Sequence, residues 1–343
     1  MKNLWLHSVR AYISWGLFFY YKKIQVVKAE DIPKDKPILF LSNHQNALLD
    51  ALLIATTCGR YCYFLTRASV FKKPVVSKLL KSLRMFPIYR VRDGWNSITN
   101  NNPIFEMCTG LLNKNEVIAI FPEGSHNLNR TVRTLRRGFT RIVFDTLEKF
   151  PESDLQIIPI GVNFEDAKAF GDSCTINYGK AISAKDYVSE DRNIAVIKLK
   201  EDMHGIICEL TTHIESDAYN ETLTKLNSIH ADFLEPKKVN KCISNDFSEC
   251  DFKRKKDFTG LKRILKGLLI LNLIVPYAIW KLQIVPNIKE EEFIGTFRFA
   301  TAISLVPIWI LAIIITLAIT VGLQIALMYL VAVLCLTLFA VKA

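Results

Sequence analysis

One run of the sequence limits the possible folds more than any other. Residues 299–341 contain no charged side chain. As a single helix the run would be about 65 Å long at 1.5 Å per residue, which is twice a hydrocarbon core of ~30 Å. Gly322 and Gln324 stand near its middle, where a turn would be needed. The run therefore predicts two transmembrane helices, over roughly 300–320 and 324–341.

The charges around this run predict its orientation and the partners of the chain. Arg298 precedes it and Lys342 follows it, so the positive-inside rule places both ends, and the large domain before them, in the cytoplasm. The net charge of +11 fits an anionic membrane surface, acidic small molecules or nucleic acid. The 8 cysteines form no CxxC pair and no zinc-like cluster, so we expect free thiols, no disulfide and no metal.

The chain divides into segments of different character. Residues 1–34 hold an aromatic-rich run too short to span a bilayer, which indicates an interfacial helix region or, alternatively, an ordinary packing helix. Residues 35–230 alternate short strand-like and helix-like segments. Residues 231–262 are polar and indicate a linker. Residues 263–298 hold a short apolar stretch between lysines, which indicates a re-entrant or interfacial segment, and residues 299–343 form the two transmembrane helices.

The alternation in residues 35–230 predicts the fold class. Strands are expected at 37–41, 61–66, 84–89, 116–121, 155–161 and 173–178, and helices at 48–57, 74–82, 103–113, 135–149 and 194–215. This order is typical of an α/β domain whose mixed, partly parallel sheet is flanked by helices.

A polar block follows the first predicted strand. Asn43 and His44 stand at the strand end, and Asp50 lies in the helix that comes next. A histidine with a carboxylate behind it is a candidate general base with an orienting partner, although a turn histidine beside an unrelated aspartate has the same pattern. Groups six residues apart on one helix would point ~120° apart. We therefore expect His44 on a loop and Asp50 in the helix.

Three further blocks stand at later predicted strands. One strand ends in an arginine with a second arginine two residues on, and another breaks at a proline and then offers a carboxylate, a glycine and a hydroxyl. A third strand carries Pro159 and Gly161, which central strands avoid unless something approaches the backbone closely. The polar and special residues of the first two blocks are Arg90, Arg92, Glu123, Gly124 and Ser125.

Together and in this order, the four blocks resemble those of the glycerophospholipid acyltransferases, which include glycerol-3-phosphate and 1-acylglycerol-3-phosphate acyltransferases. The resemblance covers about residues 35–185. It implies that His44 and Asp50 are catalytic, with His44 as the base and Asp50 as its orienting partner. The residues it implies for substrate binding are Asn43, Arg90, Arg92, Glu123, Gly124, Ser125, Arg137 and Pro159.

Two departures from the family pattern stand out. Five residues separate His44 from Asp50, whereas four are usual in the family. Fungal-type glycerol-3-phosphate acyltransferases resemble this sequence in having five. Ser125 and His126 stand where the family usually shows Thr-Arg, so an arginine expected beside the acceptor's phosphate is missing. The candidates to replace it are Arg92 and the cluster Arg130, Arg133, Arg136 and Arg137.

The resemblance implies transfer of a fatty acyl group from a thioester of coenzyme A or acyl carrier protein to glycerol 3-phosphate or its 1-acyl form. It implies no cofactor, membrane lipids as partners and no nucleic acid. A lyso-aminolipid acceptor and a catalytically inactive lipid-binding protein are the alternatives. A serine hydrolase is disfavoured because no G-x-S-x-G elbow occurs. We also expect the C-terminal helices to anchor the domain without contributing to its chemistry.

Overall fold

The computed structural model describes residues 2–90, 99, 101–248, 250–252 and 259–342. The helices are α1 Lys2–Tyr20, α2 Ala47–Thr57, α3 Pro74–Ser82, α4 Asn102–Leu112, α5 Gly138–Lys149, α6 Arg192–Leu210, α7 Tyr219–Ser228, α8 Pro236–Ser244, α9 Thr259–Asn272, α10 Ile274–Ile279, α11 Ile294–Thr320 and α12 Leu323–Lys342. The strands are β1 Lys23–Lys28, β2 Ile38–Ser42, β3 Cys62–Arg67, β4 Met85–Ile88, β5 Val117–Ile120, β6 Gln156–Phe164, β7 Ser173–Tyr178 and β8 Ile182–Ser183.

The strands form one sheet in the order β1-β7-β6-β2-β5-β3-β4, with β8 also paired to β6. Strands β6, β2, β5, β3 and β4 run parallel to one another, whereas β7 and β8 run antiparallel to β6. This arrangement confirms the predicted α/β class with a mixed, partly parallel sheet. The carboxyl ends of five strands therefore meet at a single edge.

Strand β2 lies at the centre of the sheet, and all of its residues are buried. Ile38 and Phe40 pack into a core shared with α1 and α2, while Leu39 and Leu41 pack on the other face with α4, α5 and α6. A parallel strand covered on both faces needs a continuous apolar sequence rather than an alternating one. That requirement explains why the short run before Asn43 contains no polar residue until Ser42.

Four elements were absent from the predicted order: β1, β8, α7 and α8. Strand β1 lies at the edge of the sheet, where it pairs with β7, and most of its residues are exposed. An exposed edge strand needs no apolar run, and β1 instead begins and ends with a lysine. Helix α8 lies in the segment interpreted as a linker. It buries Val239 and Cys242 against Ile214 and Leu226, which form a small third core.

The prediction that the chain has no disulfide is wrong, because Cys242 and Cys250 are bonded. Helix α8 ends at Ser244, and the chain then reverses through Asp246 and Phe247, which have φ values of 47° and 62°. The reversal brings Cys250 back beside Cys242, and the Cα atoms of the two cysteines are 5.1 Å apart. Spacing along the sequence alone does not reveal such a turn.

The C-terminal region contains two helices long and apolar enough to cross a membrane, over Glu291–Thr320 and Leu323–Lys342, as predicted. Gly322, with φ of +117°, lies in the turn between them. Before them, Gly260–Asn272 and Ile274–Asn287 form a pair bent by 95°, the geometry of a broken span or a re-entrant loop. Helix α11 begins at Ile294, earlier than the expected start near residue 300, because a helix can include Arg298 and the residues before it although the uncharged run begins only at Phe299.

The close approach of another element to the strand that carries Pro159 and Gly161 is confirmed. A methyl group added at Gly161 in β6 would lie 2.1 Å from the carbonyl oxygen of Leu210, at the end of α6. At Gly205, in the middle of α6, an added methyl group would meet no atom within 4 Å. The backbone of α6 thus packs directly on β6 at the position of Gly161.

We predict that Gly161→Ala lowers the free energy of unfolding by about 3 kcal/mol, since rigid backbone must move to admit the methyl group. Gly205→Ala is the matched control and should raise it by about 0.5–1 kcal/mol, because alanine is the better helix former. Thermal unfolding in detergent measures both variants. Equal stability of the two would contradict the packing described for β6 and α6.

Candidate active site

The polar blocks meet at the carboxyl edge of the parallel strands. His44 follows β2, Arg90 follows β4, and Glu123 follows β5. Strands β5 and β3 separate β2 from β4, so the histidine and the arginine lie at the same edge with the Glu123 loop between them. Loops at this edge are the usual place for ligands in open α/β sheets.

His44 and Asp50 form a close pair. The Nδ1 atom of His44 lies 2.8 Å from the Oδ2 atom of Asp50, and their side chains are 16% and 0% exposed. The imidazole also stacks on the ring of Phe121, with centroids 4.0 Å apart. An Nδ1–H donated to the carboxylate leaves the lone pair on Nε2, which is the tautomer that a general base requires.

The loop between the two residues shows how the five-residue gap closes. His44 lies outside regular structure, and α2 begins only at Ala47, as the sequence predicted. Ala47 has a φ of 41°, in the left-handed region that non-glycine residues seldom adopt. The backbone N–H of Asn46 donates to Asp50 Oδ2 at 2.8 Å. One carboxylate oxygen therefore holds both the imidazole and the loop.

Glu123 supports the dyad from the neighbouring strand. Its Oε1 accepts the backbone N–H of His44 at 3.1 Å, and its Oε2 accepts the Nε–H of Arg133 at 3.0 Å. Burial raises the pKa of Glu123, while Arg133 and the His44 N–H oppose that rise. Both oxygens are thus engaged by protein groups, so the geometry gives Glu123 a positioning task rather than a direct contact with substrate.

Asn43 and Pro159 also lie inside the protein. The side chain of Asn43 donates to Val162 O at 2.9 Å and accepts Val162 N–H at 2.8 Å, which joins the catalytic loop to β6. Pro159 lies in the buried body of β6, in register with Leu41. Substrate contact stays a prediction for both residues, but their described contacts are structural.

The arginines divide into two groups. Arg90 donates to Gly124 O at 3.2 Å, and Arg136 and Arg137 are exposed at the start of α5. Arg130 turns inward, where it donates to the carbonyls of Phe164 and Glu165 and where burial lowers its pKa to about 10. Arg90, Arg136 and Arg137 therefore form the cationic part of the edge, whereas Arg130 holds loops together.

Two predicted residues need separate mention. Ser125 accepts from Arg133 through its hydroxyl at 3.0 Å and through its carbonyl, so its oxygen atoms face the ion pair. Arg92 lies outside the described residues. Arg133 itself was named only as one of a basic cluster, and the sequence held no sign that it would pair with Glu123 across ten positions.

His126 lies beside the dyad, with its ring centroid 5.5 Å from that of His44. Burial lowers the pKa of His126, the charge of His44 adds to this effect, and Glu292 and Glu290 oppose it. One ligand atom from each of His126, Glu290 and Glu292 lies within 4.8 Å of the others, so these three side chains have the spacing to hold a metal ion. The absence of a metal stays a prediction.

The first of the C-terminal helices contacts this edge, although the expectation that these helices contribute nothing to the chemistry stays a prediction. The ring of Phe293 contacts His126 with centroids 4.6 Å apart, just before α11. The Leu48 N–H, in the first turn of α2, donates to the hydroxyl of Thr296 in the first turn of α11. A distant hydrophobic segment thus reaches the catalytic loop, and no local pattern in the sequence signals this contact.

Comparison with known proteins finds a family match over the part of the chain that carries this sheet edge. The model of the Acyltransferase family matches residues 23–163, which contain both catalytic candidates. The fold and this match define an acyltransferase domain. Residues 23–163 are thus similar to the Acyltransferase family, and the relatives they match support a glycerophospholipid acyltransferase family.

The similar proteins include enzymes with glycerol phosphate in their names. "Glycerol-3-phosphate acyltransferase 1, mitochondrial" of Mus musculus is 26% identical over 160 residues, and that of Homo sapiens is 25% identical over 160 residues. Each alignment covers 44% of this chain and 19% of the relative, so the chain matches about a fifth of their length.

Among solved structures, the 1-acyl-sn-glycerophosphate (LPA) acyltransferase PlsC of Thermotoga maritima is similar, with 16% sequence identity and a TM-score of 0.43. The match covers 60% of this chain and 80% of that one.

We predict that His44→Ala lowers kcat by about 10²- to 10⁴-fold, the usual loss when a general base is removed. Asp50→Asn should lower kcat by less than His44→Ala does. The imidazole base remains in this variant, although it is less well oriented and its cation is not stabilised by a carboxylate. Steady-state kinetics with an acyl thioester, together with thermal unfolding to confirm folding, measure both. Near-normal turnover of a folded His44→Ala variant would contradict the assignment.

We predict that Glu123→Gln lowers kcat and leaves the acceptor KM nearly unchanged, because the amide N–H₂ would face the donors of Arg133 and shift the His44 loop. Glu116→Gln is the matched control, since it breaks the Arg84–Glu116 ion pair of 2.8 Å outside this edge. The control should keep normal kinetics. A raised acceptor KM with normal kcat in Glu123→Gln would instead support the substrate contact expected from the sequence.

Proposed function

We propose that this chain transfers a fatty acyl group from an acyl thioester to a hydroxyl of glycerol 3-phosphate or 1-acylglycerol 3-phosphate. The observation that carries the proposal is the His44–Asp50 pair at 2.8 Å, on a sheet edge that also presents Arg90. Acyl transfer to an alcohol needs a base for the hydroxyl, and a phosphorylated acceptor needs a cation. The edge offers both.

The proposed reaction is direct transfer without a covalent acyl-enzyme. Nε2 of His44 removes the proton of the acceptor hydroxyl as the oxygen attacks the thioester carbonyl. Asp50 stabilises the resulting imidazolium through Nδ1–H. The tetrahedral intermediate then breaks its C–S bond, and the leaving thiolate takes the proton from His44. This sequence balances with the ester and a free thiol as products, and it requires no cofactor.

The acceptor is proposed from the charge of the edge. Arg90, Arg136 and Arg137 at this edge support a phosphorylated acceptor, because an arginine fork suits phosphate geometry. The curated relatives are named for glycerol 3-phosphate, which supports the same acceptor class. A lyso-aminolipid acceptor would leave these cations without a matching anion. The buried, fully assembled dyad argues against a lipid-binding protein without catalysis.

The site is proposed to face the cytoplasm at the membrane surface. Support comes from Arg298 and Lys342, one at each end of the helical pair. The bond between Cys242 and Cys250 is the observation that opposes this orientation, since disulfides persist mainly in oxidising compartments. The redox state of these two cysteines in intact cells decides between the two orientations. Either carrier, coenzyme A or acyl carrier protein, is compatible with the proposed chemistry.

The test is an acceptor panel with labelled acyl-CoA and acyl carrier protein, run on the wild type and on variants of Arg90. Arg90→Ala should raise the KM for the phosphorylated acceptor by about 10- to 100-fold, the value of a hydrogen bond to a charged group. Arg90→Lys should recover only part of it, because lysine lacks the fork.

Arg192→Ala serves as the control for this test. Arg192 pairs with Glu148 at 2.9 Å on the outer helices, and its loss should leave both KM values unchanged. A raised thioester KM in Arg90→Ala would move this arginine to the donor site. Turnover of a lyso-aminolipid in preference to both phosphorylated acceptors would overturn the acceptor proposed here.

A further inference from the structure

The first turn of α11 lies directly on the catalytic loop. The backbone N–H of Leu48 donates to Thr296 Oγ1 at 3.1 Å, across 248 positions of sequence. Thr296 is 9% exposed. Its neighbour Gly295 approaches Asn46, and the hydroxyl of Tyr20 donates to Gly295 O at 3.3 Å. A helix of the membrane hairpin therefore begins at the loop that carries the dyad.

Helix α2 needs a hydrogen-bond acceptor at this point. The first N–H groups of a helix have no partner inside it, and an N-cap side chain usually serves the second or third of them. Asn46 is the N-cap of α2, but its side chain makes no capping bond and instead donates to Ala167 O at 2.8 Å. Leu48 is the second residue of α2. Thr296 supplies the missing cap from another helix.

Gly295 makes this contact possible. A methyl group added there would lie 2.7 Å from Asn46 Oδ1 and 3.1 Å from Ala167 O. The Asn46 side chain cannot move away freely, because its amide group is bound to that same carbonyl. The two backbones approach this closely only because residue 295 has no side chain.

The capped turn also carries Asp50. Its Oδ2 holds the imidazole of His44 and the N–H of Asn46, and Ala47, the residue after Asn46, has a φ of 41°. Strained backbone of this kind persists only where surrounding contacts determine it. Leu48 follows Ala47 directly, so its bond to Thr296 is one of those contacts.

We propose that Thr296 is a positioning residue for the dyad, and that α11 thereby makes the membrane hairpin part of the active site. It acts through Leu48 and the first turn of α2, and it need not touch substrate. The kinetic part of this inference rests on the proposed acyl transfer. The structural part, the coupling of α11 to the catalytic loop, does not.

The test uses Thr296→Val, Thr296→Ser and a control on the same helix, all in full-length protein. Valine keeps the shape of threonine and removes the acceptor oxygen. Thr301→Val is the control, because Thr301 is also buried but its hydroxyl donates to Phe297 O within α11. We expect Thr296→Val to lower kcat about tenfold with both KM values nearly unchanged. Thr296→Ser should restore the rate, and Thr301→Val should match the wild type.

Hydrogen exchange of the backbone separates the two parts of the proposal. Thr296→Val should speed exchange in the peptide that covers residues 44–50, while Thr301→Val should not. If the wild type transfers no acyl group to any acceptor, the proposed function fails and exchange alone decides the coupling. Wild-type kcat together with wild-type exchange in a folded Thr296→Val variant would overturn the inference.

A second pair of variants tests the close approach independently. Gly295→Ala should push α11 away from Asn46 and lower kcat at least as much as Thr296→Val. Gly267→Ala in α9 is its control, since an added methyl group there meets no atom within 4 Å. Equal kcat values for the two alanine variants would contradict the role of α11.

Discussion

The buried carboxylate of Asp50 is the group on which the arrangement of the active site depends. Its Oδ2 accepts from the Nδ1–H of His44 and from the backbone N–H of Asn46, so one charge holds the base and the loop that presents it. A carboxylate with no exposed surface needs donors, and Oδ2 has these two, whereas Oδ1 has none among the described residues. The strand end, the loop and the start of α2 consequently behave as one unit.

Other polar groups of the edge fall into two sets by their contacts. Asn43 and Glu123 bind backbone groups of neighbouring strands and loops, and they hold His44 in place. Arg90, Arg136 and Arg137 lie farther out and give the edge its positive charge. A polar block in a family pattern therefore mixes residues that shape the site with residues that can meet a substrate, and only contacts distinguish them.

Much of the site followed from local sequence features. His44 on a loop with Asp50 in the next helix was predicted because a helical gap of six cannot bring two side chains together. The central strands were predicted because burial on both faces requires an apolar run. The edge strand β1 and the pairing of Cys242 with Cys250 were not, since a half-exposed strand and a reversal of the chain have weak local signals.

The sequence by itself determined the mixed, partly parallel α/β domain, the pairing of His44 with Asp50 and the two apolar helices after Arg298, because periodicity and the absence of charge are local properties of the chain. Only the tertiary structure showed which groups Glu123 binds and that the first turn of α11 contacts the catalytic loop. The bond from Leu48 to Thr296 joins residues 248 positions apart. Such a contact depends on how the hairpin packs against α2 and the loop before it, and no local sequence pattern predicts that packing.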